Sequence, residues 1–186
     1  MRRIVLSDIF GKTQALDKLR RTIGADVGVV DPYDGERKDF HTEEQAYDFF
    51  MANIGLDKYC DLVQSRLEKT TTPIVLIGFS VGASAIWRLS EHFNPGKVER
   101  AYCFYGSQIR HMTEINPRVR VEYILPKHEP GFCVDELARH LSAKKNVVLH
   151  KTPYGHGFMN ELSRNFSKRG YAKFVEVLRS DPALTL

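Results

Sequence analysis

Ser80 lies at the centre of the pattern Gly78-x-Ser80-x-Gly82, which follows a run of aliphatic residues and precedes a stretch with helical spacing. A serine hydroxyl attacks a carbonyl carbon only when a base accepts its proton and its oxygen is accessible. A sharp turn from a strand into a helix presents the hydroxyl in this way, and it directs the first helical amides at the developing oxyanion. Glycines two positions before and after the serine give such a turn the room it needs. The pattern predicts a nucleophile; the alternative is an ordinary glycine turn with an incidental serine.

A nucleophilic serine needs a base, and His156 has the surroundings that suit this role best. It lies between two glycines in the segment 153–158, directly after a predicted strand. Because glycines on both sides leave the imidazole little to pack against, a core histidine is disfavoured at this position. The other histidines lie in predicted helices, in a strand, in polar loops, or beside the acid described below: His92, His140, His150, His41, His111 and His128.

A histidine base is oriented by a carboxylate, and Glu129 is the carboxylate closest to the end of the predicted fifth strand. Pro130 follows it and keeps its backbone extended. Asp135 is the rival, although its place in the first turn of a predicted helix suits an interaction with the helix dipole. Asp8, in the loop after the first strand, could approach the serine or could accept hydrogen bonds from local amides in a turn. Glu122 lies inside a strand and is expected to point to one face of the sheet.

Strands and helices alternate along the chain. Short apolar runs predict six strands, at 3–6, 27–30, 74–77, 98–105, 119–125 and 146–150. Apolar residues at spacings of three and four predict helices between them. This alternation predicts a mostly parallel sheet with helices on both faces. Since ligands of such sheets bind beyond the carboxyl ends of the strands, the site is expected in the loops that follow them.

Two backbone amides are expected to form an oxyanion hole in this architecture. One belongs to Val81, the residue after the nucleophile, and the other comes from the loop after the first predicted strand. In that loop, residues 7–11, Ile9 is the expected donor.

The composition is that of an ordinary globular chain. With 186 residues, 42% hydrophobic and 27% charged, it is most simply one domain, residues 1–186. The net charge of +4 comes from scattered Lys and Arg residues, which is not typical of a nucleic-acid-binding protein. No stretch approaches the roughly 20 apolar residues that a membrane span needs. Cys60, Cys103 and Cys133 are odd in number and widely spaced, which favours reduced core cysteines in a cytoplasmic protein over disulfides or a metal site.

Several stretches together resemble the dienelactone hydrolase family of the α/β-hydrolase superfamily. They follow the family's order and cover nearly the whole chain: 4–11, 30–35, 77–83, 101–106, 127–132 and 154–158. The resemblance implies Ser80, Glu129 and His156 as a catalytic triad, with the amides of Ile9 and Val81 as oxyanion donors. It also implies a trimmed α/β-hydrolase fold with strand order 2-1-3-4-5-6, because the chain starts at what would be the family's third strand. No sizeable lid is expected, because only residues 106–118 are available for it and they are too few for a helical cap.

The chain departs from this family at four positions. The namesake enzymes carry cysteine at the position of Ser80, glutamate at Asp8 and aspartate at Glu129, and they have a substrate-binding arginine at the position of Asn160. A serine triad fits a general carboxylic ester or thioester better than a dienelactone. The pocket is expected to be open and shallow, lined by Phe10, Tyr33, Phe79 and Phe158.

Two functions remain open on this basis. The first is a serine hydrolase that cleaves a small ester or thioester through an acyl-enzyme, with no metal or organic cofactor. The second is a catalytically silent hydrolase-fold protein used for binding or scaffolding, which the shortened sheet and the replaced family residues suggest. The intact Gly78-x-Ser80-x-Gly82 pattern and the glycine-flanked His156 favour the enzyme.

Overall fold

The computed structural model describes residues 2–180 and shows strands that alternate with helices. The strands are β1 (Arg2–Leu6), β2 (Val27–Val30), β3 (Ile74–Phe79), β4 (Val98–Phe104), β5 (Arg120–Leu125) and β6 (Val147–Lys151). The α-helices are α1 (Gln14–Ile23), α2 (Glu43–Asn53), α3 (Gly55–Glu68), α4 (Val81–Leu89), α5 (Val134–Leu141) and α6 (Lys168–Ser180). A short 3₁₀ helix, Ser107–His111, lies between β4 and β5. All six predicted strands are present, within about two residues at their ends.

The strands form one parallel sheet in the order β2-β1-β3-β4-β5-β6. This confirms the strand order and the α/β class that the sequence predicted. Parallel neighbours need a crossover connection, which the helices provide. Since β1 and β3 are adjacent, the loop after β1 and the turn after β3 leave the sheet side by side.

The sheet separates two hydrophobic layers. Leu76 of β3 packs in one layer with residues of α3 and α4, whereas its neighbour Ile77 packs in the other with residues of α1 and α6. All six residues of β3 are buried, as a continuous aliphatic run in a doubly covered sheet predicts. Every residue of α4 from Val81 to Trp87 is also buried. The turn at Ser80 therefore joins a fully buried strand to a helix whose residues are buried from Val81 to Trp87.

The three cysteines are all free, but they do not all lie in the core. Cys60 and Cys103 are buried, whereas Cys133 is exposed at the N-terminal end of α5. The prediction of three core cysteines is therefore wrong for Cys133. The residue before the first helical turn lies outside the apolar stripe of α5, which begins only at Val134.

Glu122 is a fully buried carboxylate inside β5, and its side chain points to one face of the sheet as expected. Its Oε1 accepts a hydrogen bond from Nε of Arg120 at 2.5 Å, and its Oε2 lies 2.7 Å from Nε2 of His150. Burial raises the pKa of this carboxyl group, but the hydrogen bonds from His150 and Arg120 outweigh burial and hold the pKa below its ordinary value.

Replacing Glu122 with glutamine should lower the free energy of unfolding by about 1–3 kcal/mol at neutral pH. A carboxyl group with a lowered folded-state pKa contributes stability above its unfolded-state pKa, and this contribution is lost as the pH falls through the folded-state pKa. The difference between wild type and variant should therefore shrink below about pH 4. Urea unfolding at neutral and acidic pH measures it, with Glu136→Gln, an exposed residue of α5, as the control. Equal stability of wild type and Glu122→Gln at neutral pH would contradict this prediction.

Candidate active site

Ser80 adopts a backbone conformation that non-glycine residues seldom take. Its φ of +52° and ψ of −111° lie outside the regions that L-residues favour. The amide of Ser80 donates to the carbonyl oxygen of Phe104 at 3.0 Å, and its carbonyl oxygen accepts from the amide of Ser84 at 3.0 Å. Strand β4 and helix α4 therefore hold the strained residue from both sides.

The two glycines of the motif are required by the close packing of the turn. A Cβ on Gly78 would lie 2.7 Å from the amide nitrogen of Ala83 and from the backbone of Gly82. A Cβ on Gly82 would lie 2.6 Å from the carbonyl oxygens of Leu6 and Ser7. Since these neighbours are backbone atoms, a side chain at either position would push β1, the turn and α4 apart. The glycines two positions before and after Ser80 are therefore explained by close contact with neighbouring backbone atoms, as the sequence predicted.

Ser80, His156 and Glu129 lie in one line of hydrogen bonds. Nε2 of His156 is 2.9 Å from Oγ of Ser80, and Nδ1 of His156 is 2.6 Å from Oε1 of Glu129. The imidazole is 29% exposed, and the Glu129 side chain is 5% exposed. In this geometry Nδ1–H can donate to the carboxylate while Nε2 accepts the serine proton. The three residues that the sequence predicted are brought together.

The rival carboxylate is directed elsewhere. Asp135 lies in the first turn of α5, where its Oδ1 accepts from Nζ of Lys151 at 2.6 Å, and its side chain is 73% exposed. Glu129 reaches His156 from the loop after β5, which turns back at Gly131, where φ is +83°. The structure therefore favours Glu129 over Asp135 as the partner of the histidine.

Two residues that the sequence did not identify contact His156, one at its ring and one at its backbone. The ring of Tyr105 packs against it with centroids 4.9 Å apart, and Nδ2 of Asn165 donates to the His156 carbonyl oxygen at 2.9 Å. Tyr105 directly follows β4 at the carboxyl edge of the sheet, which is the one signal that could have identified it. Asn165 follows His156 by nine residues in a polar loop and carries no such signal.

The loop after β1, which carries the expected donor Ile9, is held by hydrogen bonds to the carbonyl oxygens of Asp8 and Ile9. The carbonyl oxygen of Asp8 accepts from the amide of Gly11 at 3.1 Å, and the hydroxyl of Tyr33 donates to the carbonyl oxygen of Ile9 at 2.6 Å. Because a trans peptide is planar, the Ile9 amide points away from the engaged Asp8 carbonyl. The amide of Val81, the first residue of α4, has no acceptor within its own helix.

Asp8 is a turn residue that also reaches another loop. Its Oδ1 accepts from the amide of Phe10 at 3.0 Å, and its Oδ2 accepts from Nδ2 of Asn160 at 2.7 Å. Burial raises the pKa of the Asp8 carboxyl group, although the hydrogen bonds from Asn160 and Phe10 oppose this rise. Of the two interpretations left open by the sequence, the local hydrogen-bonding one is the one these contacts support.

The predicted open aromatic pocket is wrong for Phe158. This ring is fully buried, 5.4 Å from the ring of Phe174 and 4.9 Å from that of Tyr154, measured between centroids. An apolar ring gains more from this aromatic cluster than from solvent contact, so it turns inward although it follows the histidine closely. Phe10 and Tyr33 are each only 6% exposed.

Phe79 also lies below the surface, where it lines a small cavity. The cavity has a volume of about 20 Å³, which is room for about one water molecule, and its wall includes Asp8, Tyr105, Met159 and Asn160. Ser80, His156 and Glu129 do not line this cavity, so the shape of the pocket at the serine stays a prediction.

The donor groups around Ser80 are a histidine, a carboxylate and backbone amides. Within residues 2–180, no group of three or more His, Cys, Asp or Glu side chains is arranged to hold a metal ion. In the same part of the chain, every helix is too short or too polar to cross a membrane.

Comparison of the sequence with known proteins finds a relative but no family model. No protein-family model matches the chain. The chain is 28% identical over 184 residues to the uncharacterized protein YczH of Bacillus subtilis (strain 168), with 95% of this chain and 90% of that protein covered.

Solved structures share the fold at low sequence identity, and two of them illustrate this. One is a protein of Klebsiella pneumoniae subsp. pneumoniae MGH 78578 that is provisionally assigned as a dienelactone hydrolase; its TM-score is 0.71 at 16% identity, with 95% of this chain and 83% of that chain covered. The other is a monoacylglycerol lipase of Paleococcus ferrophilus, with a TM-score of 0.63 at 12% identity and coverage of 96% and 94%. The chain therefore has the fold of the α/β-hydrolases, in a form trimmed to six parallel strands.

Proposed function

We propose that this protein is a serine hydrolase that cleaves small carboxylic esters or thioesters through an acyl-enzyme on Ser80. The observation that carries this proposal is the line of hydrogen bonds from Oγ of Ser80 through His156 to Glu129, at 2.9 and 2.6 Å. The strained backbone of the serine at the start of α4 supports it, because this is the presentation that a nucleophile needs. A monoacylglycerol lipase is among the structures that share this fold.

The first half of the reaction would acylate the serine. Nε2 of His156 accepts the hydroxyl proton while Oγ of Ser80 attacks the carbonyl carbon of the substrate. The negative charge that develops on the carbonyl oxygen is stabilised by the amides of Ile9 and Val81. Glu129 stabilises the imidazolium ion, which then gives its proton to the departing alcohol or thiol. The acyl group remains bound to Oγ.

The second half would release the acid. A water molecule gives its proton to Nε2 of His156 and attacks the acyl carbon, and the same two amides stabilise the oxyanion again. When this intermediate collapses, Oγ of Ser80 recovers the proton and the carboxylic acid leaves. One ester and one water molecule thus yield one acid and one alcohol or thiol.

The surroundings of the triad favour a small substrate without a carboxylate of its own. Asn160 stands where the related family has an arginine, and its Nδ2 is already engaged by Asp8. The cavity of about 20 Å³ that Phe79 lines has Asp8 and Asn160 in its wall and no cationic side chain. We therefore expect an uncharged, short acyl group to be accepted best.

Turnover of p-nitrophenyl esters of increasing acyl length tests this proposal. We expect hydrolysis of the acetate above the buffer rate, and a kcat/KM that falls as the acyl chain lengthens. Turnover should be lost in Ser80→Ala. The matched control is Ser142→Ala, which removes an exposed hydroxyl that bonds only to the carbonyl oxygen of Arg139 and should keep wild-type turnover. Hydrolysis no faster than in buffer would favour the silent binding or scaffolding protein instead.

A further inference from the structure

We propose that Asn160 is a positioning residue that holds the oxyanion loop (residues 7–11) against the histidine loop (residues 153–163). This inference rests on the proposed function, because it assigns to Asn160 a role in placing the Ile9 amide. The side chain of Asn160 joins two segments that lie 152 positions apart in the chain. It would act on the reaction only through the groups that it holds.

Both ends of the Asn160 amide are engaged, and in only one orientation. Its Nδ2 donates to Oδ2 of Asp8 at 2.7 Å, and its Oδ1 accepts from the amide of Leu162 at 2.9 Å. A flipped side chain would place its NH₂ group against the Leu162 amide and its oxygen against the carboxylate, so neither hydrogen bond would remain. The backbone amide of Asn160 also donates to the carbonyl oxygen of Gly157 at 2.8 Å. Asn160 is therefore fixed relative to the residue that follows the histidine.

Asp8 links the position of the Asn160 side chain to that of the Ile9 amide, the expected oxyanion donor. Its Oδ2 binds Asn160, while its Oδ1 accepts from the amide of Phe10 at 3.0 Å and its carbonyl oxygen accepts from the amide of Gly11 at 3.1 Å. These bonds fix the peptide groups on both sides of Ile9. A shift of the Asp8 carboxylate would therefore rotate the Ile9 amide away from the place where the oxyanion forms.

The sheet itself does not set the distance between the two loops. Strands β1 and β6 are separated by β3, β4 and β5, so no ladder of hydrogen bonds joins the ends from which these loops leave. An ion pair joins the histidine loop to helix α1, between Nζ of Lys18 and Oε1 of Glu161 at 2.6 Å. That pair is exposed and bypasses the oxyanion loop, so it should contribute little to the position of the donor.

Loosening the Ile9 donor should lower kcat, because the oxyanion forms only as the reaction proceeds and not when the substrate binds. Removing one oxyanion donor typically costs about 10²- to 10³-fold in kcat, so loosening one donor without removing it should cost about tenfold. Since the charge on the substrate oxygen develops in the transition state, the loss should appear in kcat while KM stays nearly constant. If Asn160 were purely structural, its replacement would lower the stability of the protein without lowering kcat at nearly constant KM.

The first test is the kinetics of Asn160→Ala with p-nitrophenyl acetate. We expect kcat to fall about tenfold and KM to change by less than about twofold. The matched control is Glu161→Gln, the neighbouring residue in the histidine loop, which should keep both wild-type constants. An Asn160→Ala variant with wild-type kcat would overturn the proposal.

The second test exchanges the two side chains. In the double variant Asp8→Asn with Asn160→Asp, the amide introduced at position 8 can accept from Phe10 and donate to position 160, where the new carboxylate accepts from Leu162. Each single variant breaks this pattern. With Asp8→Asn two side-chain amides face each other, and with Asn160→Asp two carboxylates face each other. We expect each single variant to lose about tenfold in kcat and the double variant to return to within about threefold of wild type.

A double variant no more active than either single variant would overturn the proposal, and this exchange decides the matter even where Asn160→Ala does not fold. The proposed function and the role of Asn160 would be overturned by different results. Absence of Ser80-dependent turnover in the wild-type protein would overturn the proposed function. Wild-type turnover that is insensitive to every change at position 160 would overturn only the role of Asn160.

Discussion

Replacing Ser80 with alanine should lower kcat/KM for p-nitrophenyl acetate by about 10⁴- to 10⁶-fold. The variant lacks the atom that would form the acyl-enzyme, so only the substrate contacts and the amides of Ile9 and Val81 can still assist attack by water. Alanine differs from serine by one oxygen atom and keeps the same backbone demands at φ +52°. Urea unfolding of the variant should therefore be close to that of the wild type.

Replacing Ser80 and His156 together tests whether the two residues act as a unit. Since Ser80 and His156 would act as a unit, Ser80→Ala combined with His156→Ala should be no less active than the worse of the two single variants. A Ser80→Ala variant that keeps more than about a tenth of wild-type kcat/KM would show that hydrolysis does not proceed through this serine.

Replacing Glu129 with glutamine should lower kcat by about 10³- to 10⁴-fold. An amide at this position has no negative charge with which to stabilise the imidazolium ion, and its NH₂ group can bind the wrong tautomer of His156. Oε1 of Glu129 lies 2.6 Å from Nδ1, so this interaction is among the shortest in the site. Steady-state hydrolysis of p-nitrophenyl acetate measures the loss, and urea unfolding reports whether the variant remains folded.

The control for the acid is Asp135→Asn, which changes the nearby carboxylate that pairs with Lys151 at the surface. This variant should keep wild-type kcat. The opposite pattern, with a sensitive Asp135 and an insensitive Glu129, would reassign the orienting carboxylate.

The parts of this protein that the sequence predicted are those whose signal is local. The turn at Ser80 is encoded by a continuous aliphatic strand and two glycines, and the packing distances at Gly78 and Gly82 explain why both are needed. The loops that carry Glu129 and His156 follow predicted strands directly. In a parallel sheet the carboxyl ends of the strands share one edge, so placing these residues together required only the strand order.

The parts that the sequence did not predict depend on contacts between distant segments. The hydrogen bond between Asp8 and Asn160 joins two polar loops, and nothing in either loop identifies the other as its partner. The burial of Phe158 is decided by the rings of Tyr154 and Phe174, which form a cluster only after α6 has packed on the sheet. The contact of Tyr105 with His156 depends in the same way on the loops after β4 and β6 meeting.

Covalent labelling of the folded protein with a fluorophosphonate reports directly whether Ser80 is an activated nucleophile. An activated Oγ of Ser80 would attack the phosphorus atom and displace fluoride, leaving a stable phosphonyl adduct. We expect one adduct per chain by mass spectrometry, located on the peptide that contains Ser80 and absent from Ser80→Ala. No adduct on the folded wild-type protein, or an adduct on a different serine, would contradict the proposal that Ser80 is the nucleophile.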